Sequence, residues 1–187
     1  MSDICNLDMV KDYLGMQGAK QLDDDLITDL CGRVTKQFEN YCGVTSFNAA
    51  DFVEYHNGCG SKHLFPNANL PINSITTIHD DPEWTWGSDT LIAATDYRIV
   101  DSKYIVAQTN FTDNEQNVKV VFNAGYTNIP EDLLQSAIEE TGRKYKHRLD
   151  FDVLNKVMTD GTVQYVDPGL MKSTVQILKF YKNAWVV

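Results

Sequence analysis

Histidine is sparse in this chain of 187 residues, occurring only as His56, His63, His79 and His147. Chemistry built on imidazole therefore has few positions to use. There is no Gly-x-Ser-x-Gly elbow, no Gly-rich phosphate loop closed by lysine, and no His-Glu-x-x-His helix. The usual layouts for acyl transfer, nucleotide binding and zinc hydrolysis are thus missing. Cysteine is equally thin: Cys5, Cys31, Cys42 and Cys59 lack the spacing of a disulfide framework and read as buried, reduced thiols. No apolar run approaches the ~18 residues needed to cross a bilayer. The acidic start, Met1 to Met9, has neither the basic segment nor the apolar core of a signal peptide, so a cytoplasm-like compartment is expected. Basic excess is missing too: 16 Lys and Arg face 26 Asp and Glu, a net charge of −10. A protein made to grip nucleic acid shows the opposite balance. Internal repeats and low-complexity tracts are also absent.

What is present is a folded-domain composition, 43% hydrophobic and 11% aromatic. That is enough for one full core with a small subdomain. The stretch Val118 to Arg148 organises it. Val118, Val120 and Phe122 alternate at period two and predict a strand. Gly125 then allows a left-handed turn. Pro130 suits a first helical position, and Glu131 and Asp132 place negative charge on the positive end of the new helix. Leu134, Ile138, Thr141 and Tyr145, with Ala137 beside them, form its apolar stripe.

Ahead of that stretch, Asn6 caps a short helix through Leu7, Val10, Tyr13 and Leu14 that stops at Gly15. After a break at Met16 to Lys20, Asp23, Asp24 and Asp25 crowd the start of a second helix. Its stripe is Leu26, Ile27, Leu30, Val34, Phe38 and Tyr41. Those three acids suit helix capping, since adjacent helical positions point in different directions and do not converge on a metal. From Asp51 to Tyr126 the texture becomes strands and turns. Strands are predicted at Phe52 to His56, at Leu70 to Ile78, and at Tyr97 to Val100. Two more are predicted at Tyr104 to Ala107 and Val118 to Phe122. Asn57-Gly58 is a hairpin signal. Beyond the central helix, Asp150 to Met158 extends it or makes a separate turn, Thr159 to Gly161 turns, and Val163 to Val166 is extended. Asp167-Pro168 opens a last helix with Met171, Val175, Leu178 and Tyr181 on its stripe. The expected class is α+β: a core of about four helices with an inserted antiparallel β subdomain. Residues 1–50 give the first helices, 51–126 the insertion, and 127–187 the remaining helices.

Candidate chemistry is weak. His56, Cys59 and His63, with Cys42 or Asp51, are conceivable zinc ligands, although Gly58 and Gly60 suit a hairpin tip as well. The pairs Asp80/Asp81 and Asp150/Asp152 could attract a divalent cation, but they lack the EF-hand pattern and such acids are commonly solvated. Arg143, Lys144, Lys146 and Arg148 form the basic block. Helix-dipole complementarity explains it, and the alternative is a docking patch for an acidic neighbour, including a second copy of this chain. Trp84 and Trp86, in the acidic loop from His79 to Asp89, are better contact residues than core ones.

Several segments in order resemble the head–tail connector (adaptor, or head-completion) proteins of tailed bacteriophages. They are Val10 to Gly15, the helix ending Phe38 to Gly43, Leu70 to Ile75, Asn123 to Tyr126, and Ile129 to Leu133 with Ala137. The resemblance implies a structural virion protein with no catalysis and no cofactor. It implies a dodecameric ring between portal and tail that extends the DNA channel and offers a tail-attachment platform. Its partners would be further copies of itself, the portal, the tail or next connector, and genomic DNA passing without sequence-specific binding. No membrane is involved, and the location would be the virion neck, with host cytoplasm during assembly. The segment Lys179 to Val187, carrying Phe180, Tyr181 and Trp185, becomes a docking arm, unless Trp185 folds back on its own core. Two other readings stand beside it: a metal-dependent hydrolase or nuclease, and a monomeric binding module using Trp84 and Trp86.

Overall fold

The computed structural model describes residues 3–16, 23–67, 71–148 and 169–182, with the backbone course of 155–158 and 161–164. The helices and strands come in the order α1 (Leu7–Leu14), α2 (Asp24–Cys42), β1 (Ala50–Gly58), β2 (His63–Leu64), β3 (Ile72–Asp80) and β4 (Tyr97–Val100). Then follow β5 (Tyr104–Ala107), β6 (Asn114–Ala124), α3 (Glu131–Lys146), β7 (Asn155–Met158), β8 (Gly161–Gln164) and α4 (Lys172–Tyr181). All sheet pairings among the described strands are antiparallel, so the class is α+β. The chain divides into two compact units. One spans Gly43–Asn128 and holds β1 to β6; the other joins Ser2–Cys42 to Ile129–Lys182 and holds the helices.

In the β unit, β6 is central, with β1 on one side and β3 on the other. Val118, Val120, Phe122 and Ala124 are buried, and Lys119, Val121 and Asn123 between them are half-buried. This is the period-two reading, over a longer strand than Val118 to Phe122. The second sheet runs β2-β5-β4, and its Leu64, Ile105 and Ala107 join the same core as Ile72, Ile78 and Phe111. Phe52 lies with its ring 5.9 Å from that of Phe122. Burial of a side chain such as Phe122 contributes about 2–3 kcal/mol. β4 and β5 are joined by Asp101, Ser102 and Lys103; the first two are left-handed (φ 51° and 54°), and Lys103 N–H donates to Val100 O at 2.9 Å. That is the turn whose twist matches a hairpin, made here without glycine.

Asn57-Gly58 does not close a hairpin. β1 runs through both residues and pairs with β6 as far as Gly58 opposite Asn114, with a register shift between His56 and Gly58. The glycine serves close approach instead: a Cβ there would lie 1.7 Å from the Thr112 carbonyl oxygen. Asn57 Oδ1 meanwhile accepts from the Gln116 N–H at 2.8 Å. β3 continues to Asp80, so His79 and Asp80 are strand residues and not loop residues. Gly125 is left-handed as expected (φ +106°), and a Cβ there would meet Asn48 O at 2.6 Å.

In the helical unit, Asn6 Oδ1 caps α1 by accepting from Met9 N–H at 3.0 Å, and Gly15 closes it in the left-handed region. The buried face of α2 is Ile27, Cys31, Val34, Thr35, Phe38, Glu39 and Cys42. Leu26, Leu30 and Tyr41, expected on that stripe, are only half-buried. In α3 the expected Ala137, Ile138, Thr141 and Tyr145 are buried, joined by Leu133, Ser136, Glu140 and Gly142, while Leu134 is half-buried. Pro130 sits at the N-cap, one residue before its expected place. α4 begins after Met171 and buries Thr174 and Leu178, so the expected Met171, Val175 and Tyr181 are half-buried. Cys5, Cys31 and Cys42 are buried free thiols, whereas Cys59 is exposed, against expectation.

α3 does not extend across Asp150 to Met158. Residues 155–158 form β7, paired with β8 through Lys156 opposite Val163 and Val157 opposite Thr162, where β-branched residues favour a strand. β8 starts at Gly161, earlier than the extended piece expected at Val163 to Val166. Asp150, Asp152, the Asp167-Pro168 helix opening and Trp185 lie outside the described residues, as does most of the break at Met16 to Lys20.

Candidate functional site

The loop after β3 is built on a carboxylate. Asp81 is only 2% exposed. It accepts from Glu83 N–H at 2.9 Å, Thr85 Oγ1 at 2.8 Å and Trp86 N–H at 2.6 Å. Burial pushes the Asp81 carboxyl up, and these hydrogen bonds outweigh it, holding it below the usual carboxylate value. The expectation that Asp80 and Asp81 are solvated fails for both. Asp80 receives Thr112 N–H at 2.7 Å and Thr112 Oγ1 at 2.9 Å through one oxygen, and Asn117 Nδ2 at 2.7 Å through the other. Asn117 is buried and also donates to Thr112 O and accepts from Gly58 N–H.

This scaffold presents the two tryptophans differently. Trp84 and Trp86 are both left-handed (φ 58° and 54°), a costly conformation for a large side chain that the Asp81 bonds hold in place. Trp86 lies on a cross-strand row, its ring 5.5 Å from Tyr55 and 6.4 Å edge-on to His79, with Lys119 Nζ 5.6 Å above it. Lys119 stands opposite both Tyr55 and His79 in register, so four side chains from three strands and one loop interlock. Trp86 is therefore half-buried, while Trp84 is 56% exposed and anchored through Nε1 to Glu115 O at 3.2 Å.

The conceivable zinc ligands are engaged apart from one another. His56 Nε2 bonds Glu54 Oε2 at 2.7 Å, Cys59 Sγ lies 3.3 Å from Ser61 Oγ, and His63 stacks near Phe65 and Tyr104. Among the described residues, no group of three His, Cys, Asp or Glu side chains is placed to hold a metal.

Arg143 and Lys144 of the basic block are drawn inward, while Lys146 and Arg148 stay exposed. Arg143 bonds the buried Glu140 and also donates to Gly169 O at 2.6 Å. Lys144 Nζ lies 3.8 Å from the same carboxylate. Glu140 Oε2 in turn accepts Met171 N–H at 3.1 Å, placing negative charge on the first turn of α4. Arg148 stacks 4.1 Å over the Tyr145 ring and bonds Asp23 at 2.9 Å, and Tyr145 OH donates to the same Asp23 oxygen at 2.7 Å. That hydrogen bond and burial push the Tyr145 phenol up. Lys146 is exposed.

On α4, Phe180 is 87% exposed, whereas Tyr181 OH donates to Asp132. Burial pushes the Cys42 thiol, which donates to Leu178 O, up to about 12. It is therefore no ready nucleophile.

Sequence reasoning missed Asp81 as an anchor, although an Asp followed by Pro within a loop is an Asx-turn signal. It also missed Glu140, for which Arg143 three residues on and Lys144 four residues on were the signal. Buried Glu39, paired with Lys36 at 3.0 Å, has the same i,i+3 signature.

A family model described as head completion protein matches residues 3–184. No curated protein sequence matches the chain. Among solved structures it is similar to a chain of the neck of an empty GTA particle computed with C6 symmetry. The identity is 15% and the TM-score 0.63, covering 97% of this chain and 90% of that one. A chain of the neck of a native GTA particle computed with C12 symmetry gives 16% and 0.61 at the same coverage. One from the virion of a native gene transfer agent particle gives 14% and 0.61.

Proposed function

We propose a function from one premise: the chain belongs to the head completion protein family. It is a structural head–tail connector of a phage-like virion, and the family is not an enzymatic one. Beyond that, the chain forms a multimeric ring at the neck, beneath the portal, with a tail or next connector below. The twofold support for a ring is that similar folds occur in necks computed with C6 and C12 symmetry. The single observation that carries the reading is the family match across nearly the whole chain.

Charge supports the remaining roles. A wall with 26 acids against 16 bases repels phosphate, so DNA slides along it without sticking. Trp84 is the contact residue of the β unit, with Trp86 as its support. Lys146 is the contact cation of the basic block, because it is exposed while Arg143, Lys144 and Arg148 are tied to Glu140 and Asp23. In the arm Lys179 to Val187, Trp185 is the portal contact. No observation favours the hydrolase, nuclease or monomeric-module readings.

The test is electron microscopy of particles made without this chain. Loss of packaged genome and failure of tail joining are expected; particles that keep the genome and join tails normally would refute the reading. Truncation at Asn183 should leave a folded monomer that no longer attaches to the portal ring, and normal attachment would remove the arm.

A further inference from the structure

Two features of this chain complement each other and remain unused. One is on the β unit. β1 forms a margin of its sheet, and along it lies a hollow of about 370 Å³ lined by Thr45, Phe52, Val53, Glu54, Tyr55 and Asn67. The lining takes in residues from both faces of β1, and Asn67 joins it with its N–H on Glu54 Oε2 at 2.8 Å. Val53 is 54% exposed and Tyr55 45% exposed, a large apolar area to leave in water. The unit that carries it is acidic: residues 43–128 hold ten acidic side chains against four basic ones, with Asp51 exposed on β1 itself.

The second feature is α4. Residues 169–182 carry Lys172, Lys179 and Lys182 and no acid. Phe180, between two of those lysines, turns almost wholly outward, while Leu178 and Thr174 are buried. A cationic helix end with one outward aromatic ring is the counterpart of an acidic margin with an open apolar hollow.

From this pairing we infer that Phe180 of one copy seats in the β1 hollow of a second copy, against Val53 and Tyr55, with Lys179 and Lys182 facing Asp51. This deepens the ring reading and rests on it. The two patches differ, so the contact is head-to-tail. Each copy that offers its Phe180 keeps its own hollow for the next, and such a contact propagates until it closes.

The test uses assembled particles in which the full chain carries p-benzoylphenylalanine in place of Phe180, made from a mixture of light and heavy isotope-labelled chains. After irradiation, mass spectrometry should find adducts between position 180 and the peptide containing 52–55, joining light to heavy chains. Adducts confined to one chain, or made only with a different protein, would overturn the inference. So would complete rings by electron microscopy with no adduct at that peptide, although the ring reading would then stand. Particles with no ring would overturn both.

The variants Phe180→Ala and Val53→Glu provide a second readout. Each should reduce ring recovery roughly tenfold or more, with circular dichroism and melting unchanged because both side chains are exposed. Mixed together, they keep one good patch each and should give heterodimers without rings. Rings recovered from either variant at parental yield would refute the contact.

Discussion

The acidic loop of the β unit and the basic end of α3 are both charge runs, and the structure treats them in opposite ways. In the loop, the charges are internal supports, Trp84 faces out and Trp86 is half-buried against the sheet. Asp80 and Asp81 each receive hydrogen bonds from backbone and side chains, and the product is an exposed Trp84 on a fixed frame. On the helix, Arg143 and Lys144, which look like a surface patch, are drawn onto the buried Glu140, while Arg148 pairs with Asp23 at the surface and Lys146 points outward. A run of like charge is therefore a poor guide to a surface. What decides is whether the run has opposite charge or orphan N–H groups within reach, because a carboxylate or guanidinium so placed gains more from pairing than from water.

The contrast can be broken at four points. Gly58→Ala should be the most damaging, since its Cβ would lie 1.7 Å from a backbone oxygen and the Asn117 hub must move with it. A loss of about 4 kcal/mol or more is expected by urea denaturation, the range of strained buried backbone. Glu140→Ala should cost about 3 kcal/mol, leaving Arg143 without its carboxylate and α4 without its first-turn anion. If it costs no more than an ordinary exposed residue, the inward reading of the basic block fails.

Third is acid. The Asp81 pKa is depressed in the fold, so its contribution is present above the unfolded value near 4 and is lost as pH falls through the lower folded value. Tryptophan fluorescence should shift below about pH 4, and Asp81→Asn should remove that transition. An identical acid transition in Asp81→Asn would assign it to other groups. Last, Lys146→Ala should change stability by less than about 0.5 kcal/mol, as for an unencumbered surface side chain, and any effect on assembly would mark it as a partner contact.

The sequence was readable where one residue governs one local event. Asn6 capped, Gly15 and Gly125 turned left-handed, and β4 and β5 fell on their expected residues because these depend on neighbours in the chain. It was unreadable where a distant backbone decides. Asn57-Gly58 has hairpin chemistry, but β6, some sixty residues on, claims β1 and turns the glycine to close packing. α2 had the right period with a rotated face and α3 a wider buried face than its stripe, since the buried polar residues Thr35, Glu39, Ser136 and Glu140 do not register in an apolar stripe. Of the candidate contacts, Trp84 and Phe180 could be named from sequence, but only coordinates distinguish them from Trp86 and Tyr181, which are held by their own unit.

The thiol distribution has a practical use. With Cys5, Cys31 and Cys42 buried and Cys59 exposed, maleimide dyes should attach to the native protein at a single place without any substitution. A mixture of donor- and acceptor-tagged chains would then report the gathering of copies by energy transfer, in real time and in solution.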